Sequence, residues 1–190
     1  MKRNEFIKKC GAGICGCGVL GLLAPVAAQA TGADAPAATA PVDPELLTQQ
    51  LEGARVRFVK LLSVMDKQLD EATRREILLA LGRECAQPYV PFFEKYRGDL
   101  PGFLARIKAA WLERADLDEK TGVLHTIGKP GPCACPLVKI GLTPAQFCLC
   151  SLGWNQLAFS TVLGRPVAIE IEESVLRGGT RCSFRVATKG

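Results

Sequence analysis

The apolar residues change their repeat once along the chain, and that change limits the fold more than any other feature. From Leu47 to Met65 they recur every three or four residues (Leu47, Leu51, Ala54, Phe58, Leu61, Met65), the period of an amphipathic helix. From Pro166 onward they alternate. Val167, Ile169 and Ile171 face away from Ala168, Glu170 and Glu172, and after Gly178-Gly179 the residues Cys182, Phe184 and Val186 alternate again, as in a returning strand. A chain with helical period first and strand period last is an α+β chain, with helices packed on an antiparallel hairpin or small sheet.

Local signals set the expected element bounds. Asp43-Pro44-Glu45 reads as an N-cap followed by proline at the first helical position. A second helix is predicted over Glu71 to Ala86, with Ile77, Leu78, Leu81 and Cys85 on one face and Pro88 and Pro91 ending it. A third is predicted from Leu100 to Arg114, burying Phe103, Leu104, Ile107 and Trp111. Gly122 to Ile127 alternates like a short strand, and Gly128 to Pro132 reads as loop. Thr143-Pro144-Ala145-Gln146 has the form of a capping box, so a helix is expected from there to Leu163, with Gly164 ending it. Its Trp154, Leu157 and Phe159 side is expected to lie on the hairpin of 166–187.

The first thirty residues are set apart from fold reasoning. Lys2, Arg3, Lys8 and Lys9 precede an apolar, glycine-rich run from Cys10 to Ala28, and Ala28-Gln29-Ala30 has the small-x-small form of a signal-peptidase site. Residues 1–30 therefore read as a signal peptide, 31–44 as an Ala/Pro-rich linker, and 45–190 as a single domain that is exported to the periplasm or beyond the cell. The membrane enters only during export. Arg3-Asn4-Glu5-Phe6 resembles a twin-arginine signal with Asn4 in the second arginine's place, so that route and the general secretory route both stand. Without residues 1–30 the chain carries 20 Lys+Arg and 18 Asp+Glu, a net charge of +2 that gives no reason to expect nucleic acid as a partner.

Six cysteines remain in the domain: Cys85, Cys133, Cys135, Cys148, Cys150 and Cys182. Four of them form two Cys-x-Cys pairs separated by twelve residues. Thiolate is the soft donor that selects zinc, copper(I) or iron–sulfur centres, and four such donors close a tetrahedral zinc site. In a regular helix, positions i and i+2 diverge by about 200°. Cys148 and Cys150 can then face one ion only if their helix starts late, near Ser151. An even number of cysteines in an exported domain equally suits disulfides between segments. A third use is catalytic, with Cys148 or a metal-bound water attacking a small cyclic amide and His125, the one histidine, or a glutamate moving protons. Cys85, on an apolar helix face, reads by itself as a buried, inert thiol. Whichever bond they make, the two Cys-x-Cys pairs are expected to converge, with Cys182 close by. No phosphate-binding loop, dinucleotide fingerprint or His-Glu-x-x-His helix is present.

Two resemblances add to this. Phe147-Cys148-x-Cys150-Ser151-x-Gly153-Trp154, Leu163-Gly164-Arg165-Pro166-Val167, Glu173-Ser174 with Gly178, and Cys182-x-Phe184 resemble the family grouped with L-2-amino-thiazoline-4-carboxylic acid hydrolase. Gly82-Arg83-Glu84-Cys85-Ala86 and Cys133 to Val138 extend the match over roughly residues 80 to 188. It implies a small-molecule ligand, hydrolysis of a small heterocycle, and a place for Cys85 in the functional set. The same part is similar to vinyl-reductase-type ligand-binding domains. That resemblance implies a zinc site in which Cys148 and Cys182 match two ligands, while Ser174 stands where a cysteine and Ile171 where a glutamate would be; Cys133, Cys135 or Cys150 would make up the set.

Overall fold

Helix formation begins where Asp43-Pro44 places it. In the computed structural model, which describes residues 43–189, the Asp43 carboxylate accepts from the Glu45 N–H at 2.9 Å and Pro44 opens α1 (Pro44–Gln68). The buried line of α1 is narrower than its apolar pattern suggests. Leu62 is buried with Phe58 and Met65 against it, whereas Leu47 and Leu61, expected on the core face, are about half exposed at 51% and 53%. The helix meets the body with one edge of a broad apolar arc. The predicted signal peptide and nearly all of the linker lie outside the described residues. Among the described residues no helix is long and apolar enough to cross a membrane.

The second helix, α2 (Glu71–Ala86), has the predicted bounds because its start is fixed locally. The Asp70 carboxylate accepts from the Thr73 N–H at 2.9 Å and from the Thr73 hydroxyl at 2.7 Å. Its buried residues are Leu78, Leu79, Gly82 and Ala86, so the core face is turned from the predicted one, and both Ile77 and Cys85 are exposed. α2 ends at Ala86, ahead of Pro88 and Pro91 as predicted, and short helical elements follow it. Each proline occupies the first turn of a new element, the 3-10 turn Gln87–Tyr89 and α3 (Val90–Glu94), where a missing N–H costs nothing. α3 brings Phe92 and Phe93 into an aromatic group with Tyr96, Phe103 and Trp154, including edge-on contacts of Phe93 with Phe103 at 6.1 Å and with Trp154 at 5.3 Å.

The third predicted helix is shorter than expected. α4 (Leu100–Ala110) is capped by Asp99 and buries Phe103 and Ile107, while Leu104 and Trp111 are half-buried. The chain then turns into β1 (Leu112–Asp118), which pairs antiparallel with β2 (Val123–Gly128). β3 (Ile169–Glu173) and β4 (Ser183–Ala187) complete an antiparallel sheet in the order β1-β2-β4-β3. The fold is α+β, as the change of period requires. The 3-10 turn Val175–Arg177 lies in the β3–β4 connection, which is therefore longer than a Gly-Gly hairpin turn. Alternation divides the sheet's faces. Leu124, Phe184, Val186 and Ile169 are buried with Leu152, Ala158, Phe159 and Val162 of α5 (Cys148–Leu163). Of the predicted α5 contact side, Phe159 is buried; Trp154 turns instead to Phe93 and Tyr89.

α5 does not begin with the predicted capping box. The Thr143 hydroxyl accepts from the Lys139 N–H at 3.0 Å, and the Gln146 amide donates to Asp66 at 3.4 Å. Both side chains are committed elsewhere, and a 3-10 turn over Ala145–Phe147 leads into the helix. At its other end Gly164 adopts φ 68°, the left-handed conformation expected of a glycine there.

Candidate thiol cluster

Two glycines determine where the cysteines meet. A Cβ at Gly82 would stand 1.8 Å from the Cys150 carbonyl oxygen, and one at Gly153 would stand 2.0 Å from that of Leu79. α2 and α5 therefore cross in backbone contact, which no larger residue permits. One turn beyond Gly82, Cys85 lies near enough to Cys150 to raise its thiol.

The loop after β2 supplies the other pair. Cys133, Cys135 and Cys150 border a small apolar core of Leu62, Leu78, Val138 and Phe147, with Phe58 edge-on to Phe147 at 4.9 Å. Cys182 borders the main core just before β4. Cys133 lies within electrostatic reach of Cys135, Cys148 and Cys182; Cys150 lies within reach of Cys85, Cys133 and Cys135. Cys148 is buried at the first position of α5, its sulfur 3.0 Å from the Ser174 hydroxyl. Cys133, Cys135 and Cys150 thus share one small core, and all six thiols of the domain are free of disulfides. Among the described residues, however, no three His, Cys, Asp or Glu side chains are grouped so as to hold a metal ion as they stand. The helical start at Cys148 accounts for part of this: with no late start at Ser151, Cys148 and Cys150 diverge.

Burial raises three of these thiols, Cys133, Cys148 and Cys150. It pushes Cys150 up to about 12, helped by Cys85, Cys135 and Cys133 nearby. Burial also raises Cys148, against the lowering effects of the Ser174 hydrogen bond and Arg177. Cys133 is raised chiefly by burial as well. Cys85 is not the buried residue that its helix face suggested, since the core side of α2 is turned away from it.

His125 is placed with other partners. On β2 it pairs across the sheet with Arg185, and its Nδ1 lies 2.9 Å from Glu172 Oε1. Glu170 pairs with Arg185 at 3.2 Å. These four residues occupy the face of the sheet away from the core. Cys148 and His125 are therefore not hydrogen-bonded to one another. The zinc set implied by the second resemblance is not assembled either. Ser174 does stand beside Cys148, as the matched positions require, but it offers a hydroxyl, and the glutamates flanking Ile171 turn to His125 and Arg185. Ser174 and Arg177, which act directly on Cys148, carry no signal in the hydrophobic pattern.

No family model matches the chain, and no curated protein matches it. Two solved structures are similar in part. The phenol-responsive sensory domain of the transcription activator PoxR, solved with phenol, shares 14% identity over 70% of this chain and 73% of its own, with a TM-score of 0.46. Trafficking protein particle complex subunit 3 from Naegleria fowleri, covalently bound to palmitic acid, shares 16% over 75% of this chain and 97% of its own, with a TM-score of 0.48. At such values the likeness is one of backbone course.

Proposed function

We propose that residues 45–190 form an exported small-ligand-binding domain whose cysteine cluster takes a soft, thiophilic metal ion, zinc or another ion held by thiolate. The observation that carries this is that Cys133 and Cys135 of the loop after β2 border the same small core as Cys150 of α5, all as free thiols. In kind and number these donors fit a soft ion. In arrangement they are not closed on one, so ligation requires Cys133 and Cys135, on a segment outside helix and strand, to close on α5 or on Cys182. Each thiol that ligates gives up its proton, which makes uptake dependent on pH. The thiazoline-hydrolase-like reading, acting on a small cyclic amide with Cys148 as nucleophile, has less support. Cys148 holds its proton and its polar partner is Ser174, not His125.

A second reading is favoured at one place. Cys85 of α2 and Cys150 of α5 are neighbours across the helix crossing at Gly82, and an oxidised pair there would staple α2 to α5. Elemental analysis of the protein purified from its host without chelators, with a free-thiol count in denaturant after chelation, separates the two. The metal reading expects a bound soft metal and all six thiols. Loss of two thiols without metal favours the staple. Six thiols with no metal, and no thiolate-to-metal charge-transfer absorbance on adding cadmium, overturn the metal reading. Amino-terminal sequencing of the same material tests export, which expects residues 1–30 to be missing; soluble cytoplasmic protein that retains Met1 overturns it.

A further inference from the structure

One cleft in the described part of the molecule lies away from the cysteines. It is an open cavity of about 610 Å³ at the far end of α5, where Arg83 of α2, Arg97 and Arg165 meet Gln156, Leu157 and Ser160. Pro166 and Val167 also line it.

The charge there is one-sided. Arg97 is held by Glu94, with its Nε 2.6 Å from Oε2. Arg165 is anchored to the carbonyl oxygens of Thr188 and Pro166, which fix the guanidinium without neutralising it. Arg83 has no ion-pair partner among the described residues. Of three cations, one is thus offset by a carboxylate and two are not. The helix end works against an anion, because its last carbonyls carry partial negative charge. Those carbonyls are already engaged: Ser160 and Thr161 accept from the N–H groups of Gly164 and Arg165, and Val162 accepts from Gly98 at 2.8 Å. Donors therefore dominate the cleft, and Leu157, Pro166 and Val167 give it an apolar wall. Its volume lies within the range of small-molecule sites.

We infer that this cleft binds a small organic anion, with its charged group between Arg83 and Arg165 and a compact apolar body against Leu157 and Val167. Arginine forks suit carboxylate and phosphate alike, because both accept two parallel hydrogen bonds. The site is separate from the thiols, since Arg83 and Cys85 are two positions apart on α2 and point in divergent directions.

Calorimetric titration of the purified full chain with benzoate, phenyl phosphate and inorganic phosphate tests this. Saturable binding of at least one aromatic anion is expected, weakened about tenfold or more in Arg83→Gln. Inorganic phosphate should bind more weakly than phenyl phosphate, because it lacks the apolar body. Arg83 holds no structural partner, so that variant is expected to fold; Val167→Asp, which sets a negative charge in the wall, is the second variant and should weaken binding as well. The inference is overturned if no aromatic anion binds saturably, or if binding is unchanged in both variants. Binding lost only when the thiols are alkylated also overturns it, by moving the site to the cysteines. Whether the protein holds a metal bears on none of these outcomes.

Discussion

The Cys148 sulfur and the Ser174 hydroxyl oxygen lie 3.0 Å apart at the joint between the start of α5 and the end of β3. Ser174 is 2% exposed and also accepts from the Arg177 N–H at 3.2 Å, so the hydroxyl ties helix, strand and 3-10 turn together. Replacing it by cysteine would set a further sulfur beside Cys148 at nearly constant volume. Ser174→Cys is expected to hold zinc at least tenfold more tightly than the natural chain, as measured by competition with a chromophoric chelator. Ser174→Ala removes the partner of both groups and should destabilise the domain by about 1–3 kcal/mol in urea unfolding. A cysteine variant with unchanged zinc affinity would show that this joint is no part of a metal site.

His125 gives the opposite expectation. Its ring pairs with Glu172 on the solvent side of the sheet, and its side chain is 40% exposed. His125→Gln should leave metal uptake and the thiol count unchanged, and alter stability by less than about 1 kcal/mol, because exposed pairs contribute little. If the substitution abolished uptake instead, the proposed ligand set would have to include the outer face of the sheet.

Helix starts were legible where a local signal had no competing partner. Asp43 and Asp70 mark helix starts because their carboxylates accept from N–H groups two or three residues ahead, whatever the rest of the chain does. β1 was not legible, because the residues after Ala110 suit either period and only pairing with β2 decides between them. The capping box failed for a related reason. Thr143 had a competing donor in Lys139, and sequence alone does not rank the two. At the site, the shared setting of Cys133, Cys135 and Cys150 is part of what the two Cys-x-Cys pairs led one to expect. The exposure of Cys85 could not be anticipated, because it depends on how α2 is rotated by its contact with α5. Nor could the arginine cleft, since Arg83, Arg97 and Arg165 are brought together only by the helix packing.

That rotation rests on Gly82 and Gly153. An added methyl at either would overlap the facing backbone, at 1.8 and 2.0 Å. Gly82→Ala and Gly153→Ala are each expected to cost about 3 kcal/mol or more by overpacking, read as a lower urea midpoint. Gly53, inside α1, is the control. A Cβ there meets only the end of the Arg57 side chain at 3.4 Å, so Gly53→Ala should stabilise the protein by up to about 1 kcal/mol. Equal effects at all three positions would mean that close helix contact is not what the two glycines provide.

The thiols also predict how stability varies with alkaline pH in the metal-free, reduced protein. Burial raises Cys133, Cys148 and Cys150 in the folded state, with Cys150 moved from the ordinary 9.0 to about 12. Between those values the unfolded chain has released protons that the folded chain still holds. Stability is then lost as pH rises, since it falls wherever the unfolded state binds fewer protons. The contribution is fully present below about pH 9 and declines from there towards pH 12. Thermal unfolding midpoints should therefore drop across this window, and the drop should shrink in Cys150→Ala, which removes the most strongly shifted of these groups. A soft metal held by the same sulfurs should flatten the profile, because ligated thiols have already lost their protons. A midpoint that holds level through the window in the metal-free, reduced chain would contradict the burial assigned to these three cysteines.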